Sequence, residues 1–235
     1  MIKAAIEKIL SLGIREVKEV NGRTYTMGHE GLSAVKPPKS ETLTVNTLTG
    51  IVDYNPLLAA PASAMIHVCD HKTVDVLEYD YTDAWLTRST YMTAVHESPV
   101  FRFGQFMCAE EFIIQIQAMF VQDENTAAIL RVVGNIKDDN VANFSDDGVT
   151  QSVTAKSGIS TVATVPVPNP VTLRPFRTFM EIEQPASTFV FRMQKSGGGP
   201  TCALFEADGR MWRLEAIKSI EVWLAEKIPG IKIIA

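Results

Sequence analysis

Apolar and polar residues alternate along this chain with two periods, and the switches between them lay out its elements. At the start, apolar positions 2, 6, 9 and 10 are separated by charges, which predicts an amphipathic helix closed by Gly13. Arg15–Val20 and Arg23–Met27 flank Asn21-Gly22, a strong two-residue hairpin signal. A loop containing Gly28, Gly31, Pro37 and Pro38 is expected next. It leads to a helix on which Leu48, Ile51 and Val52 share a face, weakened by Gly50. After Pro56 and Pro61, the segments Ala64–Cys69, Thr73–Tyr79 and Ala84–Thr93 read as an antiparallel meander whose first turn is Asp70-His71-Lys72.

Ser98-Pro99 breaks that pattern, and the period becomes helical. Phe112, Ile113, Ile116, Met119 and Phe120 define one face of a helix over Ala109–Val121, with Glu110 and Glu111 in its first turn. A second helix is expected from Glu124 to Val133, ended by Gly134. Asn135–Lys156 is weakly patterned, its turns marked by Asp138-Asp139-Asn140 and Ser145-Asp146-Asp147-Gly148, and reads as exposed loop and an edge strand. Strands resume at Gly158–Val165 and Val171–Arg174, around the proline-rich connector 166–170.

A hairpin over Phe176–Gln194, turning at Pro185-Ala186, sets Ile182 opposite Phe189 and Met180 opposite Phe191. Phe176, Thr178 and Met193 fall on the same apolar side. The reverse side collects Arg177, Glu181, Glu183, Thr188, Arg192 and Gln194, with Phe179 and Val190 as exceptions. Ser196–Pro200 reads as a flexible linker to a second hairpin, turning at Asp208-Gly209 and pairing Phe205 with Trp212 and Ala203 with Leu214. A final helix uses Ile217, Ile220, Trp223, Leu224 and Ile228 and stops at Pro229-Gly230. The expected fold is α+β, mainly antiparallel sheets in a sandwich-like arrangement with amphipathic helices packed on them. It forms a single domain over 1–235, with lobes at 1–98 and 99–235.

Composition narrows the functional classes. No apolar run approaches the roughly 20 residues that span a bilayer, so no membrane partner is expected. Three widely spaced cysteines fit reduced thiols in a cytoplasm better than a disulfide framework. A net charge of −5 gives no general attraction to phosphate backbones. Hydrophobic residues make up 46% of the chain against 21% charged, which leaves apolar surface for a partner, most simply a second copy.

Candidate chemistry is sparse. His67, Cys69 and His71 alternate and are zinc-ligand types, but the turn before Thr73 takes His71 out of the strand and no second Cys or His pair completes a site. The acidic stretch at 138–148 lacks the alternating spacing of a calcium loop. Gly197-Gly198-Gly199 lacks the Lys-Ser or Lys-Thr of a phosphate loop, and no Gly-x-Ser-x-Gly elbow occurs. No catalytic residue, metal or cofactor is expected. The one cationic concentration is Arg174, Arg177, Arg192, Arg210 and Arg213, interleaved with Phe176 and Phe179, an arrangement that can hold single-stranded nucleic acid or a nucleotide. Arg174, Arg177 and Arg192 are its candidate ligand residues. The competing expectation is that Arg177 and Arg192 pair with Glu181 and Glu183, and Arg213 with Glu206 or Glu215.

Thr47-Leu48-Thr49-Gly50-Ile51-Val52-Asp53-Tyr54, the Ser98-Pro99-Val100-Phe101 entry to the helix at Glu110–Phe120, and the block from Val165-Pro166-Val167-Pro168-Asn169-Pro170 to Phe191-Arg192-Met193 together resemble the YfdQ-like phage and prophage proteins. The resemblance implies a bacteriophage or prophage origin and expression in the host bacterial cytoplasm, and brings no catalytic residues with it. The expected role is a non-enzymatic phage accessory protein that assembles into a homo-oligomer. The alternative is a nucleic-acid- or nucleotide-binding module, in phage recombination or counter-defence, using the arginine-bearing sheet face.

Overall fold

The computed structural model describes residues 2–13, 17–20, 23–28, 31–35, 41–53, 64–79, 88–138, 141–146, 151–157, 160–166, 169–197 and 199–235. The Asn21-Gly22 turn, His29, Pro37-Pro38, Pro56, Pro61, Asp139-Asn140, Asp147-Gly148 and Val167-Pro168 lie outside them. The chain forms two compact units, Met1–Glu41 and Thr42–Ala235.

The smaller unit holds α1 (Ile2–Gly13) and an antiparallel sheet of β1 (Val17–Val20), β2 (Arg23–Gly28) and β3 (Gly31–Ala34), in that order. Strands β1 and β2 pair antiparallel as expected, with Val20 opposite Arg23. The third strand replaces part of the expected loop. Gly-Leu-Ser-Ala has no strand composition of its own, and its structure comes from pairing Tyr25 with Ala34 and Met27 with Leu32.

In the larger unit, β5 (Ala64–Asp70), β6 (Thr73–Tyr79) and β7 (Arg88–Val95) form the expected meander. Two three-residue strands extend it in parallel: β4 (Leu43–Val45) beside β7 and β15 (Lys232–Ile234) beside β5. Alternation sends Ile66, Val68, Val74, Val76, Met92 and Ala94 to one face. There α2 (Leu48–Asp53) contributes Leu48 and Ile51, and α5 (Trp212–Lys227) contributes Ile220 and Leu224.

A second core lies between the helices α3 (Ala109–Met119) and α4 (Glu124–Asp138) and a four-stranded antiparallel sheet. That sheet runs β12 (Val171–Leu173), β13 (Ser187–Ser196), β14 (Gly199–Glu206), β8 (Met107–Cys108). Its centre is aromatic: Phe101 meets Phe120 edge-on at 5.1 Å, Phe103 stacks on Phe189 at 5.2 Å, and Phe112 stacks on Phe191 at 5.5 Å. A separate antiparallel sheet of β9 (Val141–Asp146), β10 (Gln151–Ser157) and β11 (Ser160–Pro166) completes the chain. Among the described residues no helix is long and apolar enough to cross a membrane.

The α+β class, mainly antiparallel with helices on the sheets, is as expected, but several pairings are not. The hairpin over Phe176–Gln194 does not form. Only its second half is a strand, β13, which lies between β12 and β14, with Val171 opposite Phe189 and Leu173 opposite Ser187 on the β12 side. The exceptions in the alternation carried the warning: Phe179 is fully buried, whereas Met180 is 60% exposed. The residues expected as a flexible linker belong to the β13–β14 pair, with Lys195 opposite Pro200 and Ser196 opposite Gly199. Trp212 does not pair with Phe205 but opens α5, because Gly209 and Arg210 both adopt left-handed φ (62° and 66°) and turn the chain before it. The stretch expected as loop and edge strand belongs to α4, β9 and β10, with β10 central in its sheet.

Helix α4 runs straight through Gly134, which was expected to end it. A Cβ at this position meets nothing within 4 Å, and the backbone is not left-handed there. Gly134→Ala is therefore expected to raise stability by about 0.5–1 kcal/mol, seen as a higher urea midpoint.

Candidate functional site

The arginine cluster singled out in the sequence lies on and around a non-regular segment, residues 174–186, that passes from the aromatic core to the five-stranded sheet. Pro175 bridges to Phe120 and the Phe176 N–H donates to the Met119 carbonyl, while Phe179 and Ile182 pack in the other core. Beyond this bridge the segment joins no strand ladder among the described residues, and Gln184 satisfies part of its backbone. Its buried side-chain oxygen accepts from the N–H groups of Arg177 (2.9 Å) and Thr178 (3.3 Å). Its amide nitrogen donates to the carbonyls of Thr178 (3.3 Å) and Phe179 (3.1 Å). All four hydrogen-bonding positions of one amide are thereby used.

The turn so held drives Arg177 inward. The residue is 8% exposed, and its guanidinium lies 3.8 Å from the centre of the Trp212 ring, donates to Glu206 Oε1 at 3.1 Å and donates to the Ser187 hydroxyl. Burial pushes its pKa down to about 10, against the opposing pull of Glu206 and Asp208, so it remains a cation at neutral pH. His71 meets the other side of this cluster, edge-on to Trp212 at 4.8 Å, and its carbonyl accepts from the Thr178 hydroxyl. The Arg177 Nε, Trp212 Nε1 and Asp208 Oδ2 atoms are buried with no hydrogen-bond partner among the described residues.

The expected carboxylate partners change as well. Arg177 pairs with Glu206, not with Glu181 or Glu183, because the hairpin that would have aligned them is absent. Arg174 takes Glu183 (2.6 Å) and Asp123 (3.4 Å). Burial opposes ionisation of Asp123, but donation from the Thr126 N–H and hydroxyl, with Arg174 nearby, holds its pKa below the ordinary value. Glu181 accepts from the N–H of Thr49 at 3.1 Å. Arg192 is half-buried on β13 and donates to the Phe191 carbonyl at 3.4 Å, and Arg213 lies over Trp212 at 5.5 Å. Of the three candidate ligand residues, Arg174 and Arg177 are thus held in ion pairs and Arg192 donates to a backbone carbonyl.

His67 and Cys69 are adjacent, with Cys69 Sγ 3.4 Å from His67 Nδ1, but His71 turns away to Trp212. Cys69 sits where the β5–β6 register slips, between Val68 and Asp70. Burial, together with Asp75, pushes its thiol up to about 11, unlike an activated thiolate. Among the described residues no group of three or more His, Cys, Asp or Glu side chains is arranged to hold a metal ion.

Burial lowers the pKa of His71, with Asp70 opposing and Arg213, Lys72 and Arg177 adding to the shift. Burial also lowers that of His96, with Glu181 opposing. A folded-state pKa below the unfolded value of about 6.5 means that the folded state binds fewer protons, so this stability is present above pH 6.5 and lost as pH falls. Urea midpoints are expected to be lower at pH 5.5 than at pH 7.5, with part of the difference removed in His71→Asn.

Two central residues of this cluster, Gln184 and Trp212, were not candidates from the sequence. A glutamine beside Pro185 leaves no periodic trace, and Trp212 fitted a strand pattern equally well. Comparison with known proteins found no match: no family model matches the chain, and no curated protein or solved structure does.

Proposed function

We propose that this is a self-assembling, non-catalytic phage accessory protein that acts as a homo-oligomer in the cytoplasm of the host bacterium. The observation that carries the assembly is the state of the smaller unit. None of its described side chains is buried, and Ile2, Ile6, Val17, Val20, Met27, Leu32 and Val35 are between 41% and 79% exposed. In a unit of about 40 residues with no cysteine to staple it, these exposed apolar side chains are surface that a second copy can cover. The internal engagement of Arg174 and Arg177 supports a structural role for the arginine cluster. The phage assignment rests on the resemblance to the YfdQ-like proteins.

Light scattering on the purified chain is the test. A mass that is a multiple of 25.9 kDa, stable on dilution through the micromolar range, is the expected result. A monomer at every concentration would end the proposal.

A further inference from the structure

Helix α5 carries apolar side chains on two opposite faces. Trp212, Ala216, Ile220 and Leu224 are buried. At 100° per residue Met211 projects opposite Ile220, and with it come Leu214, Val222 and Ala225. All four are exposed, Met211 by 72%, Leu214 by 70% and Val222 by 49%. The outer face of a helix packed on a sheet is ordinarily polar. Here the only charge inside the stripe is Lys218, exposed at its midpoint, with Glu215 and Glu221 on its two flanks.

The stripe is its own complement. Reversing the helix about Lys218 exchanges Leu214 with Val222, Met211 with Ala225 and Glu215 with Glu221. We propose that this face pairs antiparallel with the same face of a second copy, around a two-fold axis at Lys218. The proposal rests on the self-association reading and names one contact of the assembly. Leu214, Lys218 and Val222 run along the stripe, and a shallow, near-antiparallel crossing of about 20° keeps Met211 beside Ala225 of the other copy. Each Lys218 stem lies along apolar surface while its ammonium reaches Glu215 or Glu221 of the other copy, which keeps the two central cations apart. A closed, isologous contact of this kind needs no feature that the stripe lacks.

The test uses the full chain with exposed Cys69 and Cys108 replaced by serine. Under mild oxidation Lys218→Cys is expected to link to itself in a covalent dimer. Met211→Cys alone does not link, because its counterpart across the axis is about 20 Å away along the helix. Met211→Cys combined with Ala225→Cys links again. Leu214→Glu, at an exposed position, is expected to raise the dissociation constant at least about tenfold. A multimer whose mass is unchanged by Leu214→Glu, or in which Lys218→Cys fails to link, overturns this contact and leaves self-association standing. A monomer under all conditions overturns both.

Discussion

Gln184→Ala should lower the unfolding free energy of the larger unit by about 3 kcal/mol. The estimate follows from what remains behind: N–H groups of Arg177 and Thr178 and carbonyls of Thr178 and Phe179 that lose their partner inside the protein. A buried unsatisfied group costs about 1–3 kcal/mol, and some regain water as the segment relaxes. Urea unfolding followed by tryptophan fluorescence reports this unit alone, since none of the three tryptophans precedes residue 42. Gln184→Glu sharpens the test. It keeps an acceptor for the two N–H groups but sets a carboxylate against two carbonyls, which raises its folded-state pKa above the unfolded value. The variant should therefore be most stable at low pH and lose that stability as pH rises. A loss below about 1 kcal/mol in Gln184→Ala would show that the amide is not what holds the segment.

Arg177→Ala is expected to cost a similar amount, about 3 kcal/mol, for a different reason. The guanidinium fills the space over Trp212 and satisfies Glu206 and Ser187, so its removal leaves a gap, a hydroxyl and a carboxylate without their donor. The lowered pKa shows that burying the cation is itself unfavourable. Removing both ends of the pair should then be less damaging than the sum of the single changes. A double-mutant cycle with Glu206→Gln should give a coupling of about 1–3 kcal/mol. Additive effects would mean that the ion pair is incidental and that stacking on Trp212 carries the contact.

The readable parts of this fold were those in which a segment's own period decides its structure. Helices α1, α3 and α5 and the meander β5 to β7 follow from spacings of three and four or of two, and the burial of Phe189, Phe191 and Met193 follows from alternation in β13. Periodicity identifies the buried face of a strand and is silent about which segment lies beside it. That is why β12 took the place assigned to residues 176–183. The parallel edge strands β4 and β15 are three residues long and exist only because β7 and β5 offer free edges. At the arginine cluster, charge was visible and geometry was not. The arginines drew notice as a surface, while the residue that turns Arg177 inward is an uncharged amide whose bonds run to the backbone.

The two cores of the larger unit draw on the chain differently, and this sets an order for its folding during synthesis. Every residue of the aromatic core lies between Phe101 and Leu204, so that core can close as soon as this stretch has left the ribosome. The other core begins at Leu48 yet needs Ile220, Leu224, Ile228 and Ile231, and its sheet is completed by β15. At about 5–20 residues per second, the meander waits on the order of ten seconds for its covering helix. During that interval Ile66, Val76 and Met92 present an open apolar sheet, the stage of this protein's life most exposed to aggregation and to chaperones.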